Sequence, residues 1–231
     1  MEREAQKRRA AERAVEYVES GMIVGLGTGS TARHVLDVLG EQIIAGTLRD
    51  LAGVATSTAT AAHARTVGIP LVDLDDVGEV DIAIDGADEV DPQLDLIKGL
   101  GGALLWEKIV ASAAARFIVV VDESKLVQRL GELAPVPVEV VSFGWRTLLA
   151  RFERAGARPN LRLRQDGSAF RTDAGHLIID CAFPDGIADT EAAEYALRSQ
   201  AGVVETGLFL GMTHVVIVGG TDVRVLESPT S

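Results

Sequence analysis

The sequence predicts an α/β protein in which a larger domain with a parallel, helix-covered sheet accompanies a second, smaller α+β domain. The composition is 47% hydrophobic but only 4% aromatic, which suits strands that helices cover on both faces. Short apolar runs alternate with amphipathic segments through the first half of the 231 residues. After Lys125 the pattern changes to short strands and closely spaced turns. We place the larger domain at residues 1–130 plus 207–231 and the smaller domain at 131–206.

The larger domain shows the alternation of helices and strands that a parallel sheet requires, because parallel strands need long crossover connections. Apolar residues at helical spacing predict helices over 5–18, 32–44, 58–67 and 103–115. Short apolar runs predict strands over 22–26, 53–55, 70–74, 81–84 and 117–121. A last apolar run at 214–218 is expected to return to this sheet.

The smaller domain is predicted from a different order of elements. A strand at 136–141 and a helix at 145–155 precede three short strands between Leu161 and Cys181. A helix at 190–200 and a strand at 203–208 complete the segment. This β-α-β-β-β-α-β order indicates an elaborated split βαβ unit.

Charge and composition exclude several classes of function. The chain has 34 acidic and 22 basic residues and a formal net charge of −12, whereas proteins that track nucleic-acid phosphates are usually basic. The basic runs Lys7–Arg9 and Arg158–Arg171 are interpreted as solvated faces. Cys181 is the only cysteine, so neither an intramolecular disulfide nor a thiolate zinc cluster is expected. No apolar run approaches membrane-spanning length, and we expect a cytoplasmic protein that binds neither nucleic acid nor membrane.

The first candidate site is the glycine-rich segment Gly25–Thr31, which follows a predicted strand and opens a helix. Glycines let backbone N–H groups approach an anion, and the helix dipole favours negative charge there. Ser30 and Thr31 add hydroxyl donors. The segment lacks the lysine of a P-loop and the third glycine of the dinucleotide fingerprint. The alternative is a tight turn in which Ser30 or Thr31 caps the helix.

The second candidate is the acidic segment Asp85–Asp91, directly after an apolar strand. Gly86 permits a sharp turn that could aim Asp85 and Asp88 into the same space. Neighbouring carboxylates can then divide proton-transfer roles between them. A solvated acidic turn is the alternative reading. A metal site is not expected, because the spacing fails the calcium-loop pattern and no histidine is near.

The third candidate is the glycine-rich turn that follows Lys98 and opens another helix. The Lys98 ammonium and the N–H groups of the turn could stabilise a developing oxyanion. Glu107 lies near the start of the helix and could act as a general base; a first-turn acid or an ion pair with Lys98 or Lys108 is the alternative. Lys125, after another strand, would suit a phosphate or a sugar hydroxyl, or is a surface lysine. All these segments follow strands, and the carboxyl ends of parallel strands meet at one edge of a sheet.

Together these segments resemble one known family. The matching segments are Gly27–Thr31, Asp85–Asp88, Lys98–Leu104, Glu107–Ile109, Ser124-Lys125, Pro137–Val140 and Gly202–Phe209. In this order and spacing they closely resemble ribose-5-phosphate isomerase, type A, over nearly the whole chain. Trp106 departs from the family pattern, in which a long polar side chain is usual, and this puts local packing or a subunit contact in doubt.

The resemblance implies a Rossmann-like larger domain, a ferredoxin-like smaller domain and assembly as a homodimer or homotetramer. It implies interconversion of ribose 5-phosphate and ribulose 5-phosphate through an enediolate, without metal or cofactor, in the non-oxidative pentose phosphate pathway. Glu107 matches the base, Lys98 the lysine at the reacting oxygens, and Asp85 and Asp88 the acids at the sugar hydroxyls. The substrate-binding positions it implies are Thr28, Gly29, Ser30, Thr31, Asp85, Gly86, Ala87, Asp88, Lys98, Gly99, Leu100, Gly101 and Lys125.

Two other functions compete with this expectation. A sugar-phosphate deaminase or lactonase would share the anion-binding glycine turn but would not need the spacing between Lys98 and Glu107. A sugar-phosphate sensor would need no base and would carry a DNA-binding module. The chain keeps Glu107 and begins with a single predicted helix, so we favour the isomerase.

Overall fold

The computed structural model describes residues 2–228. The helices are α1 (Glu2–Val15), α2 (Ser30–Ile44), α3 (Thr58–Thr66), α4 (Leu74–Val77), α5 (Leu104–Ala113), α6 (Arg146–Arg154) and α7 (Thr190–Arg198). The strands of the first half are β1 (Ile23–Leu26), β2 (Ala52–Ala55), β3 (Ile82–Asp85), β4 (Glu89–Val90), β5 (Leu96–Ile97) and β6 (Phe117–Asp122). Those of the second half are β7 (Val136–Val140), β8 (Arg158–Leu161), β9 (Leu177–Ala182), β10 (Val203–Thr206), β11 (Leu208–Phe209), β12 (Val215–Gly219) and β13 (Val223–Glu227). A 3₁₀ turn covers Glu123–Lys125. No helix within this part of the chain combines the length and apolar character needed to span a membrane.

Packing divides the chain into two compact units. The first contains the residues up to Ala87, Trp106–Lys125 and the residues from Met212 onward, and the second contains Asp88–Leu105 and Leu126–Gly211. The sequence pattern places 88–105 in the larger domain, whereas in the structure these residues pack with the second unit. Their strand β5 pairs with both β4 and β11, and β11 belongs to the second unit, which explains the grouping. The domain boundaries themselves stay a prediction.

The first unit is built on a six-stranded sheet in the order β13-β12-β6-β3-β1-β2. The pairs between β12, β6, β3, β1 and β2 are all parallel, and β13 is an antiparallel edge strand. Numbered along the chain, the parallel strands lie in the order 2-1-3-4-5, a doubly wound arrangement whose direction switches between β1 and β3. The predicted parallel sheet, including the returning last strand, is confirmed.

Helices cover both faces of this sheet. On one face, apolar residues of α1 and α2, such as Ala10 and Leu39, pack with Ile84, Ile118 and Ile217 in one buried cluster. On the other face, a Cβ on Gly25 would lie 2.6 Å from a methyl of Val110 in α5. The strands are thus covered on both sides, which explains their continuous apolar runs.

The second unit contains a four-stranded antiparallel sheet in the order β10-β7-β9-β8. With α6 and α7 the chain order is β-α-β-β-α-β, the split βαβ pattern of a ferredoxin-like domain. Leu148 and Phe152 of α6 and Leu197 of α7 pack on the strands. Cys181 is buried in the same core, and burial raises the pKa of its thiol far above its ordinary value. The predicted smaller α+β fold is confirmed.

Two predicted strands of the sequence analysis are wrong. Residues 70–74 form only an isolated bridge between Leu71 and Gly53, because α4 starts at Leu74, where Asp75 and Asp76 favour a helix N-terminus. Of the three strands predicted between Leu161 and Cys181, β9 is a full strand, β8 ends at Leu161, and the segment between them forms only a bridge between Leu163 and Ala169. The short strands β4, β5 and β13 were not predicted.

Candidate active site

The carboxyl ends of β1 and β3 lie side by side at the switch point of the first sheet. The backbone N–H of Thr28, in the glycine turn after β1, donates a 3.0 Å hydrogen bond to Oδ1 of Asp85, the last residue of β3. Ligands of open α/β sheets bind beyond the strand ends at such a switch point. The structure therefore brings two predicted segments, which are more than fifty residues apart, to the place where this fold binds ligands.

The Asp85 carboxylate is held tightly against the glycine turn. A Cβ on Gly27 would lie 2.2 Å from Oδ1 of Asp85, so only glycine fits at that position. The N–H of Gly86 donates a second hydrogen bond, of 2.7 Å, to the same oxygen. Asp85 is 3% exposed, and Gly86 and Ala87 after it are half-buried. Two backbone donors thus fix the orientation of a buried carboxylate.

The hydroxyl of Thr28 belongs to a cluster of hydroxyl groups that sequence reasoning missed. Its Oγ1 lies 2.8 Å from Oγ1 of Thr56, 2.9 Å from Oγ of Ser57 and 3.0 Å from Oγ1 of Thr60. Thr56 and Ser57 directly follow β2, and Ser57 caps α3 by accepting the N–H of Thr60. The cluster ties the glycine turn to the end of the neighbouring strand.

The hydroxyls of Ser30 and Thr31, at the start of α2, do not cap the helix. The N-cap is Gly29, with φ 111°, and no side chain caps the helix, so neither Ser30 nor Thr31 acts as the cap that the alternative reading required. Instead Oγ of Ser30 accepts a 3.0 Å hydrogen bond from Nζ of Lys7.

Lys7 lies beside the glycine turn, whereas the sequence pattern indicates a solvated face for it. Its side chain is only 14% exposed, and Nζ also pairs with Glu4 at 3.1 Å. The ammonium stands at the N-terminus of α2, where the helix dipole already favours an anion. No local pattern marks this lysine, because its neighbour Ser30 is 23 positions away.

Glu107 and Lys125 also lie in the first unit. Glu107 is 5% exposed and sits in the first turn of α5, where the helix dipole stabilises a carboxylate. Lys125 is half-buried and ends the 3₁₀ turn after β6. That turn is held by Asp122, whose Oδ1 accepts the N–H of Ser124 at 3.0 Å. Since β6 pairs with β3, Lys125 follows the strand next to the one that ends in Asp85.

Trp106, the residue that departs from the family pattern, lines a separate cleft. This cleft has a volume of about 950 Å³, and Arg65, Leu71, Asp76 and Ile109 also line it. Neither Asp85 nor Glu107 lines it. The structure thus places Trp106 at the wall of this cleft.

In the second unit, Lys98 opens a turn whose backbone is fixed at its start. The Lys98 N–H donates a 2.9 Å hydrogen bond to the carbonyl of Gly207, and a Cβ on Gly207 would lie 2.2 Å from the Lys98 carbonyl. The Lys98 ammonium lies 5.5 Å from the ring centre of Phe209, a cation–π distance. Lys98 is 2% exposed, so its charge sits in a site of low dielectric constant.

Asp88 and the rest of this turn are joined by a hydrogen bond. Oδ2 of Asp88 accepts the N–H of Leu100 at 2.9 Å. Gly99 has φ 100°, and its carbonyl accepts the N–H of Gly102. Leu100 and Gly101 lie at the exposed tip of the turn. The structure thus places the predicted residue Asp88 against the turn that contains Lys98, Gly99, Leu100 and Gly101.

Other carboxylates of the acidic segment serve the backbone. Glu89 is fully buried and accepts the N–H groups of Gly131, Leu133 and Ala134 at 2.5 to 2.6 Å. Asp91 accepts N–H groups of its own turn, and burial raises the pKa of its carboxyl. Glu89 and Asp91 thus hold loops in place.

The described residues include no group of three His, Cys, Asp or Glu side chains placed to hold a metal ion. His34 and His63 each face a single carboxylate, from Glu4 at 2.9 Å and from Asp37 at 2.7 Å. His176 contacts the buried Glu139 at 2.9 Å.

Comparisons with known proteins agree on one family. The model of ribose 5-phosphate isomerase A (phosphoriboisomerase A) matches residues 52–223. The chain is 53% identical to ribose-5-phosphate isomerase A of Roseiflexus castenholzii, over 96% of this chain and 95% of that one. Among solved structures, a D-ribose-5-phosphate isomerase in complex with phospho-erythronic acid is 41% identical, with a TM-score of 0.95 over 98% and 100% of the two chains. Ribose 5-phosphate isomerase A from Methanocaldococcus jannaschii is also 41% identical, with a TM-score of 0.92 over 97% and 99%.

In each of the comparisons with a single protein, the sequence or the fold agrees over nearly the full length of both proteins. The close structural matches extend across both the parallel sheet and the antiparallel sheet. The chain therefore belongs to the ribose 5-phosphate isomerase A family.

Proposed function

We propose that this protein interconverts ribose 5-phosphate and ribulose 5-phosphate by moving a proton between C2 and C1 through an enediolate. The observation that carries the proposal is the buried, oriented Asp85 beside the glycine turn at the sheet's switch point. The relative that was solved with phospho-erythronic acid supports it, because that ligand is a phosphorylated sugar acid. No cofactor is needed for such a proton transfer.

In the proposed reaction Glu107 is the general base. It takes the proton from C2 of the open-chain aldose, and the electrons of that bond form the C1–C2 double bond of the enediolate. The proton then returns to C1, the hydroxyl on C2 loses its proton to form the ketone, and O1 gains one. The buried position of Glu107 supports this role, because electrostatic interactions in a site that excludes water are stronger than in bulk water.

The other groups are proposed to bind and stabilise. Lys98 offsets the negative charge that develops on O1 and O2, an electrostatic role that a buried ammonium performs better than an exposed one. Asp85 and Asp88 contact the sugar hydroxyls and assist ring opening. Only two residues separate these aspartates in the chain, and eight separate Lys98 from Glu107. Lys125 is proposed to bind the substrate as well.

For the phosphate we propose the N-terminus of α2 with Gly29, Ser30, Thr31 and Lys7. The helix dipole, the hydroxyls and the ammonium are all suited to a dianion. Lys7 extends the set of binding residues that the sequence had indicated.

The phosphate proposal predicts that the combined change Ser30→Ala and Thr31→Ala, or Lys7→Met alone, raises KM for ribose 5-phosphate about tenfold to a hundredfold. Whatever weak turnover free ribose shows should scarcely change, because ribose has no phosphate to lose. Arg13→Met is the matched control, since it removes a cation from the same helix α1 at a surface ion pair with Glu16. Equal losses on both sugars would show that the turn is only structural.

The reaction itself is tested by incubating the protein with ribose 5-phosphate in heavy water with a chelator present. We expect ketopentose phosphate with deuterium at C1, because the proton held by the base exchanges with solvent before it returns to carbon. NMR of the product after partial conversion measures this. A product without deuterium, from an enzyme that stops on chelation and recovers with a divalent ion, would contradict the enediolate route.

We also propose that the chain forms a homodimer or homotetramer and acts in the cytoplasm. The oligomer proposal rests on the family resemblance, and the cytoplasmic proposal rests on the short apolar runs of the sequence.

A further inference from the structure

Arg162, which follows β8 in the second unit, contacts the turn that Lys98 opens. Its Nη1 donates hydrogen bonds to the carbonyls of Gly99, at 2.9 Å, and Leu100, at 3.0 Å. The side chain is 12% exposed. A guanidinium is always charged, so these are charge-assisted hydrogen bonds, which are stronger than neutral ones. The proposed function gives this residue no role.

The guanidinium is itself held rigidly. Its Nε donates to Oδ2 of Asp180 at 2.9 Å, and its Nη2 donates to Oδ1 of the same carboxylate. The Arg162 N–H donates to the Ile178 carbonyl, and the Arg162 carbonyl accepts the N–H of Phe170, both at 2.9 Å. The guanidinium is thus fixed to the four-stranded antiparallel sheet by the backbone of Arg162 and by two hydrogen bonds to the Asp180 carboxylate.

Peptide geometry shows what these contacts control. In a trans peptide the N–H points opposite to the carbonyl. The carbonyls of Gly99 and Leu100 face Arg162, so the N–H groups of Leu100 and Gly101 point away from it. The N–H of Leu100 meets Oδ2 of Asp88, one of the proposed substrate-binding carboxylates. Arg162 therefore orients the two peptide groups next to Lys98.

A second contact supports the same part of the turn. Gly102 has φ 85°, and a Cβ there would lie 2.5 Å from the Phe170 ring. The Arg162 guanidinium carbon lies 5.8 Å from the centre of that ring, within cation–π range. Phe170 thus contacts both Arg162 and the end of the turn, and leaves it little room to move.

We infer that Arg162 is a positioning residue for the isomerase reaction, which it assists by fixing the peptide groups of the turn 98–102. It contacts no reacting atom and acts through the turn, while Asp180 fixes the orientation of its guanidinium. The inference rests on the proposed role of Lys98 and Asp88. A displacement of about 1 Å in a catalytic group can cost about 10²-fold in rate. Contacts that hold this turn in place are therefore expected to have a large effect on kcat.

The first test is kinetic. Arg162→Ala should lower kcat by about 10²-fold with little change in KM, because the phosphate contacts proposed for the first unit remain. Arg164→Ala is the matched control, since Arg164 is an exposed arginine two residues away, and it should keep the wild-type rate. Arg162→Lys should stay well below wild type, because an ammonium lacks the planar fork.

Chemical rescue separates positioning from instability. Ethylguanidinium, at concentrations that leave the wild-type rate unchanged, should raise the kcat of Arg162→Ala about tenfold by filling the vacated place beside Asp180. It should not affect Arg164→Ala. A variant that is slow only because part of it is unfolded would not recover in this way.

Hydrogen exchange tests the device without any substrate. In Arg162→Ala the amides of residues 98–102 should exchange faster, while those of α6 and α7 stay as protected as in the wild type. A wild-type protein without isomerase activity, together with this local change in exchange, would overturn the proposed function but not the coupling of Arg162 to the turn. Unchanged exchange and an unchanged rate in folded Arg162→Ala would overturn the inference, as would uniformly faster exchange with no rescue.

Discussion

Replacing Glu107 with glutamine should lower kcat about 10²- to 10⁴-fold, the range that one general base supplies. The substitution keeps the size of a side chain that is 5% exposed, so α5 should pack as before. It removes the ability to accept a proton from C2. Binding of a substrate analogue, measured by calorimetry, should persist.

The control for Glu107→Gln is Glu191→Gln. Glu191 occupies the first turn of α7 as Glu107 occupies that of α5, so both changes remove a dipole-favoured carboxylate. Glu191→Gln should keep the wild-type rate. If Glu107→Gln retained more than about a tenth of wild-type turnover, the loss would be smaller than a base supplies and the base would lie elsewhere.

Replacing Lys98 with alanine should lower kcat/KM about 10²- to 10³-fold, the scale measured for loss of one oxyanion-stabilising group. The lysine is 2% exposed, and a charge in such a place interacts more strongly than it would in water. Steady-state kinetics on ribose 5-phosphate measures the effect, with circular dichroism to confirm folding.

A companion variant removes the ambiguity of a truncated buried side chain. Lys98→Met keeps an unbranched stem near Phe209 but has no charge, so it should be as slow as Lys98→Ala. Lys98→Arg keeps the charge with a different donor geometry, and should fall between Lys98→Met and wild type. Unchanged kcat/KM in folded Lys98→Met would assign the ammonium a structural role.

Local signals explain why so much of the fold could be predicted. Apolar spacing located α2 and β6 within two residues of their observed bounds, because each buries a long stripe or run. Leu71 was predicted to lie in a strand but forms only an isolated bridge. The short strands β4 and β5 were not predicted. Elements this short bury too few side chains to leave a periodic pattern.

The candidate site also contains features that local sequence signals mark and features that only the fold reveals. Glycine turns, strand ends and acidic residues mark Thr28, Asp85 and Lys98 in the sequence, because close backbone approach and sharp turns demand particular residues. The sequence could not tell which carboxylates serve the backbone. Glu89 and Asp88 are neighbours with the same chemistry, yet only the fold brings three N–H groups to Glu89.

By itself, the sequence determined the two kinds of sheet, the order of their helices and the turns that carry the proposed chemistry, since these depend on residues close together in the chain. Only the tertiary structure decided that Lys7 stands at Ser30 and that Arg162 holds the carbonyls of Gly99 and Leu100. In a sequence an arginine or lysine on a polar face looks the same whether it meets water or a distant turn. Its role depends on which segment packs beside it, and packing between distant segments leaves no periodic trace in the chain.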